Sequence, residues 1–346
     1  MDNYSIEKLL QQNHISTESI FELLSPDADN YLEMIAQKAS KLTMQYHGKV
    51  IHLFSPLYIS DYCDNECVYC AFRKGNKSTR SKLNTDEMIE NYRIIKSESI
   101  DSILLLTGES KKMSPPEYIA NAIRNASTFF SSIGIEIYPL DTDDYELLHK
   151  AGSDSLTLYQ ETYDKERYAK VHIKGRKSDF QYRYDAPARA INAGFKQITI
   201  GALYGLSDPI VEAYNTALHL QSLMTQYPFI EYSVSFPRIK DNPIVSIDDV
   251  LYLKIILAFR LLFPEVGITM STREAAHIRD GLTGLCITKL SAGSKTNVGG
   301  YGENTHSIDQ FAISDHRETD EIIQMIRSKN CEPVMKNWVH TGDSCE

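Results

Sequence analysis

The stretch VIHLFSPLYISDYCDNECVYC, residues 50–70, decides the architecture. Val50 to Tyr58 is rich in β-branched and aromatic residues and reads as a strand. A polar loop follows in which Cys63, Cys67 and Cys70 fall within eight residues. Upstream, Leu9, Leu10, Ile20, Leu23 and Leu24 are apolar at helical spacings. Tyr31 to Tyr46 continues with Ile35, Ala39 and Leu42, and Gly48 can end that helix. Downstream, a strand–helix alternation sets in. Further strands are expected at Ile103 to Leu106, Ile133 to Tyr138, Ser155 to Tyr159, Gln197 to Ile200, Ile230 to Phe236, Val266 to Met270 and Cys286 to Leu290. They are short and mostly apolar, which suits a parallel sheet buried on both faces.

Helices fill the gaps. Asn84 to Glu87 is a capping-box candidate. Ser114-Pro-Pro-Glu117 sets a cap residue, an N1 proline and an N3 glutamate in order. Further helices are expected over Asp141 to Lys150, Ala186 to Ala193, Pro209 to Tyr227, Ile247 to Phe263, Arg273 to Asp280 and Asp320 to Lys329. Eight βα units over roughly 240 residues match a TIM-type (β/α)8 barrel, with a doubly wound open sheet as the rival. The expected organisation is an N-terminal helical extension over 1–48, the barrel over 49–306, and a C-terminal helix and tail over 307–346 packed on it, with Trp338 near its end.

The chain has 346 residues, 42% hydrophobic and 24% charged, an ordinary globular composition. Its apolar runs fall far short of the roughly 20 residues that span a bilayer. MDNYSIEKLLQQNH at the start shows no secretory signal. A cytoplasmic setting is expected, in which a disulfide framework among the six cysteines is improbable. The net charge is −10, and an acidic chain without a Lys/Arg cluster is a poor nucleic-acid binder.

In a barrel, chemistry occurs where strands end. The expected ends carry Cys63 to Cys70, then Thr107-Gly108-Glu109, Asp141, Gln160-Glu161, Gly201-Ala202, Pro237-Arg238, Ser271-Thr272-Arg273 and Ser291 to Ser294. Strand-to-loop transitions are polar anyway. Glu109, Glu161 and Arg273 say more, because charges beside apolar strands are costly unless paired or used.

The C-x3-C-x2-C spacing lets three thiolates on one loop ligate three irons of a [4Fe–4S] cluster and leaves the fourth iron open. S-adenosylmethionine can chelate such an iron through its amino and carboxylate groups. The bland alternative is structural zinc, with His52 or a distant cysteine as fourth ligand. Tyr62, Tyr69 and Phe72 flank the motif and can shield a cluster from water.

This motif, with an aromatic before its last cysteine, resembles the radical S-adenosylmethionine superfamily. PLYISDYCDNECVYCAF looks like the subgroup of biotin synthase, the hydrogenase maturases and the tyrosine lyases. YQETYDKERYAKVHIKGRKSDFQYRYDAPARAINAGF, IGALYGL, SVSFPRIK, STREAAHIRDGL, TKLSAGSKTNVGGY and QFAISDHRETDEIIQMI resemble the 2-iminoacetate synthase family, from about Phe21 to Trp338. The resemblance implies a radical S-adenosylmethionine barrel that breaks the Cα–Cβ bond of L-tyrosine to 2-iminoacetate and p-cresol. It also implies thiazole synthase as partner and a flavodoxin- or ferredoxin-type reductant. By motif, Cys63, Cys67 and Cys70 would ligate the cluster. Tyr69, Thr107, Gly108, Glu109, Glu161, Arg183 and Gly201 would line the S-adenosylmethionine site, and Arg273, Ser271 and Ser291 would hold the substrate amino acid. Arg238 is expected either to touch substrate or to close a loop. Asp61 and Ala71 stand where the family usually has asparagine and glycine, which puts the cluster potential in question.

Neighbouring readings are a tryptophan lyase, the tyrosine lyase that matures [FeFe]-hydrogenase, and a biotin synthase-like sulfur insertion. The second needs a C-terminal cysteine triad, and the tail offers Cys331 and Cys345. The third needs more barrel cysteines than Cys286. A non-catalytic iron–sulfur sensor or scaffold is the reading from another class.

Overall fold

In the computed structural model, residues 6–302 and 307–336 are described. Tyr4, Trp338 and Cys345 lie outside them. The strands are β1 Val50–Ser60, β2 Ser102–Thr107, β3 Ser132–Glu136, β4 Ser155–Glu161, β5 Gln197–Ala202, β6 Glu231–Ser235, β7 Gly267–Met270, β8 Lys289–Ser291 and β9 Glu332–Val334. β1 to β8 run parallel and pair in chain order. β1 closes the ring by pairing with β8 through His52 to Phe54 and with β2 through Ser55 to Ser60. The rival open sheet is thereby excluded. The three-residue β9 joins the start of β1, at Val50 to His52.

The N-terminal segment packs on the outside of the barrel. Helix Leu32–His47 lies against helix Asp249–Leu262, and Lys254 of the latter donates to the Ser25 carbonyl at 2.8 Å. This cover explains why Asp249–Leu262 is buried nearly all round, including Arg260. The Arg260 guanidinium donates to the carbonyls of Pro264, Val266 and Cys286 at 2.7, 2.8 and 2.9 Å.

Several local expectations shift. The Asn84–Glu87 capping box forms. The 114–117 cap does not: helix Pro116–Ala126 starts from Pro115, and the Ser114 carbonyl accepts from the Tyr138 hydroxyl. The strand expected over Cys286 to Leu290 is confined to Lys289–Ser291. The amides of Cys286 and Ile287 turn back to the Leu282 carbonyl at 3.1 and 3.3 Å. The helix expected from Arg273 begins at Ala276, so Arg273 sits in the turn between β7 and that helix. Short helices Lys165–Val171 and Phe180–Tyr184 arise where no element was expected. Asp164 and Asp179 cap them, each accepting from helix amides.

Candidate active site

The loop after β1 folds across the C-terminal end of the barrel. It is held by backbone bonds on both sides: Lys74 N to Asn65 O at 2.8 Å, Glu66 N to Lys174 O at 2.9 Å, and Val68 N to Val171 O at 3.0 Å. Cys63, Cys67 and Cys70 are free thiols that line one cavity together with Thr107, Gly108, Glu109, Glu161 and Arg183. Burial is the main force pushing their thiols up, to about 11 for Cys63 and about 12 for Cys67. Glu109 adds to it for both. As bare groups they stay protonated, and a bound cation is what would hold them as thiolates.

Among the described residues, no three His, Cys, Asp or Glu side chains converge on one ion, as zinc would require. His52 lies toward the start of β1. Eight residue steps of strand lead from it to Ser60, roughly 26 Å, so it is no fourth ligand. A cluster suits the set better, since each thiolate meets a different iron.

Above the thiols stands a buried charge quartet. Arg183 donates to Glu109 at 2.9 Å and lies 3.3 Å from Glu161. Lys177 donates to Glu161 at 2.6 Å and stands 3.3 Å from Glu109. Burial pushes Glu109 up, but Lys177 and Arg183 outweigh it and hold the carboxyl down at about 2. Glu161 is held down in the same way. The Asn65 amide donates to the second Glu109 oxygen at 2.8 Å. Glu161 takes φ 73° where β4 bulges against β5, a left-handed backbone that a non-glycine residue adopts only under constraint.

Gly108 is packed against the loop that carries the cysteines. A Cβ there would lie 2.4 Å from the Tyr62 carbonyl oxygen. Beside it the Thr107 hydroxyl is buried without a hydrogen-bond partner among the described residues. An orphan hydroxyl next to two carboxylates and two cations is what a zwitterionic head group would satisfy. Tyr69 gives its hydroxyl to His172 Nε2 at 2.8 Å, and Lys177 stands 6.0 Å over its ring. Gly201 is not on the cavity wall. A side chain there would meet the Ser235 carbonyl at 2.1 Å, so close strand packing accounts for that glycine.

A cleft of about 1220 Å³, its open mouth included, runs from Cys70 past Glu136, Tyr159 and Gln310 to Arg273. A side pocket of about 560 Å³ adds Ser271, Ser291 and Ser294. Arg273 lies over the Phe311 ring, 3.5 Å from its centroid, and forms no ion pair among the described residues. The next two acids along the chain are taken: Glu274 by Arg238, at 2.9 and 2.8 Å, and Asp280 by Arg317 at 2.7 Å. Arg238 therefore closes a loop. The Ser271 hydroxyl accepts from the Arg273 amide at 3.4 Å and that of Ser291 from the Thr272 amide at 3.0 Å. The Ser294 hydroxyl is buried without a partner among the described residues.

Four residues here escaped sequence reasoning. Lys177 lay in a segment with no expected element. Gln310 and Phe311 belong to the tail; Gln310 accepts from Tyr58 at 2.6 Å and reaches Cys70 Sγ at 4.0 Å. Glu136 was hidden because the third strand was expected to run past it to Tyr138. Burial first, then Glu161, pushes its carboxyl up to about 7. Asp61 acts as a staple: its side chain accepts from the Ser81 amide at 2.7 Å. Burial dominates the rise of its pKa.

A family model described as the radical SAM superfamily matches residues 57–217, and one described as the biotin and thiamin synthesis associated domain matches 228–332. The chain is 36% identical to 2-iminoacetate synthase of Escherichia coli (strain K12) over 339 residues, 96% of this chain and 90% of that protein. The X-ray structure of the FeFe-hydrogenase maturase HydG from Carboxydothermus hydrogenoformans is similar with TM-score 0.88 at 33% identity, covering 95% of this chain and 78% of that one. The crystal structure of methylornithine synthase (PylB), at 22% identity and TM-score 0.75, shares the fold.

Proposed function

The chain belongs to the 2-iminoacetate synthase family of radical S-adenosylmethionine enzymes, and from that premise we propose that it cleaves the Cα–Cβ bond of L-tyrosine to give 2-iminoacetate and p-cresol. What supports this reading is a pair of adjoining pockets at the C-terminal rim that share Cys70, Glu136, Tyr159, Glu161, Lys177 and Gln310 as walls. The three free thiols and the Glu109–Glu161–Lys177–Arg183 quartet line the first, and the unpaired Arg273 lines the second.

Cys63, Cys67 and Cys70 would hold a [4Fe–4S] cluster, which with S-adenosylmethionine supplies one-electron hydrogen-atom abstraction from the substrate. Around them the residues do ordinary polar work. Glu109 and the Thr107 hydroxyl accept from an ammonium, while Arg183 and Lys177 donate to a carboxylate. Arg273 binds the tyrosine carboxylate in a two-point contact, helped by the Ser271 and Ser294 hydroxyls. Ser291 fixes the turn that aims Arg273 rather than touching substrate. Glu136 accepts from the substrate ammonium. Phe72, Tyr69 and Phe311 keep water from the reacting end.

In the thiazole branch of thiamine biosynthesis the imine would pass to thiazole synthase, because free imine hydrolyses to glyoxylate. A cytoplasmic, reducing setting is in keeping with the free thiols. Among the described residues, no helix is long and apolar enough to cross a membrane. The hydrogenase-maturase reading finds less support. Cys331 hydrogen-bonds the Lys329 carbonyl beside β9, at the opposite end of the barrel from the thiol loop.

The test is an anaerobic assay of reconstituted protein with dithionite, S-adenosylmethionine and L-tyrosine, read by mass spectrometry. Deoxyadenosine with p-cresol and glyoxylate is expected. Deoxyadenosine without p-cresol would move the substrate elsewhere, with tryptophan next.

A further inference from the structure

No basic cluster was expected along this chain, but folding builds one. Residues 73–82 carry five Lys or Arg and no acid, and residues 165–177 carry six with one acid, Glu166. That is roughly three to five times the chain's average density of cations, in a protein of net charge −10. The 82 residues from 83 to 164 separate the two segments, so neither stands out as a tract.

The thiol loop joins them. Asn65 accepts the Lys74 amide on one side, and its side chain accepts the Lys177 amide at 3.0 Å on the other. Glu66 exchanges backbone bonds with Lys174 and Ile173 at 2.9 and 3.1 Å. Lys74, Lys77, Lys165, Lys170, Lys174 and Arg176 are all exposed. Lys74, Lys77, Lys170 and Lys174 form no salt bridge among the described residues. The acids in and beside these segments are Asp64, Glu66, Asp164, Glu166 and Asp179, so the cations outnumber them about two to one.

At the centre of the collar two apolar side chains stand in solvent: Val68 at 43% and Ile173 at 58% exposure. Val68 lies in the loop itself, between Cys67 and Cys70. The exposed large apolar side chains here are aliphatic, so the surface lacks the aromatic platforms that single-stranded nucleic acid uses. A small apolar centre inside a mainly basic ring suits a brief encounter, steered by charge and weak enough to part.

We propose that this collar is the docking surface for a small acidic one-electron carrier protein with a flavin or iron–sulfur centre. The inference rests on the reading that Cys63, Cys67 and Cys70 hold a redox group. In the encounter the reduced carrier loses one electron and that group gains it. No covalent bond forms or breaks between the two proteins.

The test compares the reconstituted enzyme with a K74E/K77E/K170E/K174E variant, using purified flavodoxin as the probe. Affinity is measured by calorimetry at rising salt. Wild-type binding should weaken steeply with ionic strength, and the variant should bind at least about tenfold more weakly. Deoxyadenosine formation driven by reduced flavodoxin should fall with it. Formation driven by dithionite and the melting temperature should stay at wild-type values. A K170E/K174E variant is the milder check, expected to lose part of the affinity. I173D should speed dissociation without changing the salt slope.

Flavodoxin affinity unchanged in the quadruple variant would overturn the proposal. So would wild-type binding to a short single-stranded RNA that is tighter than to flavodoxin and lost in the variant. If wild type makes no deoxyadenosine with dithionite, the proposed function fails. The docking surface is still judged, by the binding isotherms.

Discussion

Arg183 donates to Glu109 at 2.9 Å across 74 residues of sequence, and both side chains are nearly sealed from solvent. The pair joins the short helix Phe180–Tyr184 to the loop after β2 and completes its charge balance with Glu161 and Lys177. Removing one cation from such a set strands a carboxylate in low dielectric. Arg183→Ala should therefore destabilise the fold by about 3–5 kcal/mol and weaken S-adenosylmethionine binding. Urea unfolding and calorimetry check the two effects. Arg183→Lys should recover much of the stability but less of the binding, because lysine cannot reach Glu109, Glu161 and the Tyr159 carbonyl at once.

Gly108 gives a more local test. Its would-be Cβ meets backbone, the Tyr62 carbonyl, and not a flexible side-chain tip. Gly108→Ala must push the thiol loop away from the β2 loop. The expected outcome is a cooperative unfolding transition at near wild-type temperature, with iron content after reconstitution and S-adenosylmethionine affinity both reduced at least about tenfold. Normal iron loading would show that the loop tolerates the shift.

How far the sequence carried this reading depends on what kind of signal each residue emits. The barrel was legible because its strands are buried on both faces and read as apolar runs between capped helices. The three cysteines, Glu109 and Arg273 were legible because motif or strand-end position marks them. Lys177 and Glu136 were not. Lys177 is one cation among six in its segment, and only the turn Arg176–Ser178 aims it inward. Glu136 sits inside an apolar run whose boundary was set two residues late. The basic collar was invisible for a related reason: it is assembled by backbone bonds from two distant segments.

Glu136 makes a pH prediction. Its carboxyl is raised from 4.5 to about 7 in the folded protein, burial being the largest cause. The folded state thus holds its proton where the unfolded chain has lost it. Glu136 therefore favours folding below pH 4.5, and that contribution is lost as pH rises from 4.5 through 7. Glu136→Gln should match wild type at the acid end and be the more stable protein above pH 7, by urea unfolding at several pH values. Its kcat/KM for tyrosine should fall, because the amide cannot accept from an ammonium with a full charge. Equal stability of the two proteins across that range would contradict the buried placement.

Cys67→Ala separates the cluster from the fold. Cys67 is buried, but its backbone carbonyl holds the turn to the Cys70 amide at 3.3 Å whatever its side chain. The variant should keep its circular dichroism while losing the visible absorbance of a reconstituted cluster and all deoxyadenosine formation. Wild-type-like turnover would sink the ligand assignment.

Arg273 decides the substrate end. Its guanidinium rests on Phe311 and has no carboxylate partner among the described residues, although Glu274 is next to it in sequence. Arg238 takes that carboxylate with two hydrogen bonds, which leaves Arg273 as a cation facing the cleft beside two serine hydroxyls. A free amino acid supplies the missing carboxylate. A charge-assisted contact of this kind is worth about 1.5–3 kcal/mol. Arg273→Ala should accordingly raise the KM for tyrosine by roughly ten- to a hundredfold. S-adenosylmethionine binding should change little, because Arg273 does not line the pocket that holds Cys63, Cys67, Glu109 and Arg183. Steady-state kinetics with tyrosine, paired with calorimetric titration of S-adenosylmethionine, read the two ends separately. Equal losses would mean that Arg273 organises the whole cleft rather than one ligand. Phe311→Ala should produce a milder version of the same pattern, because the ring orients the guanidinium without touching the carboxylate.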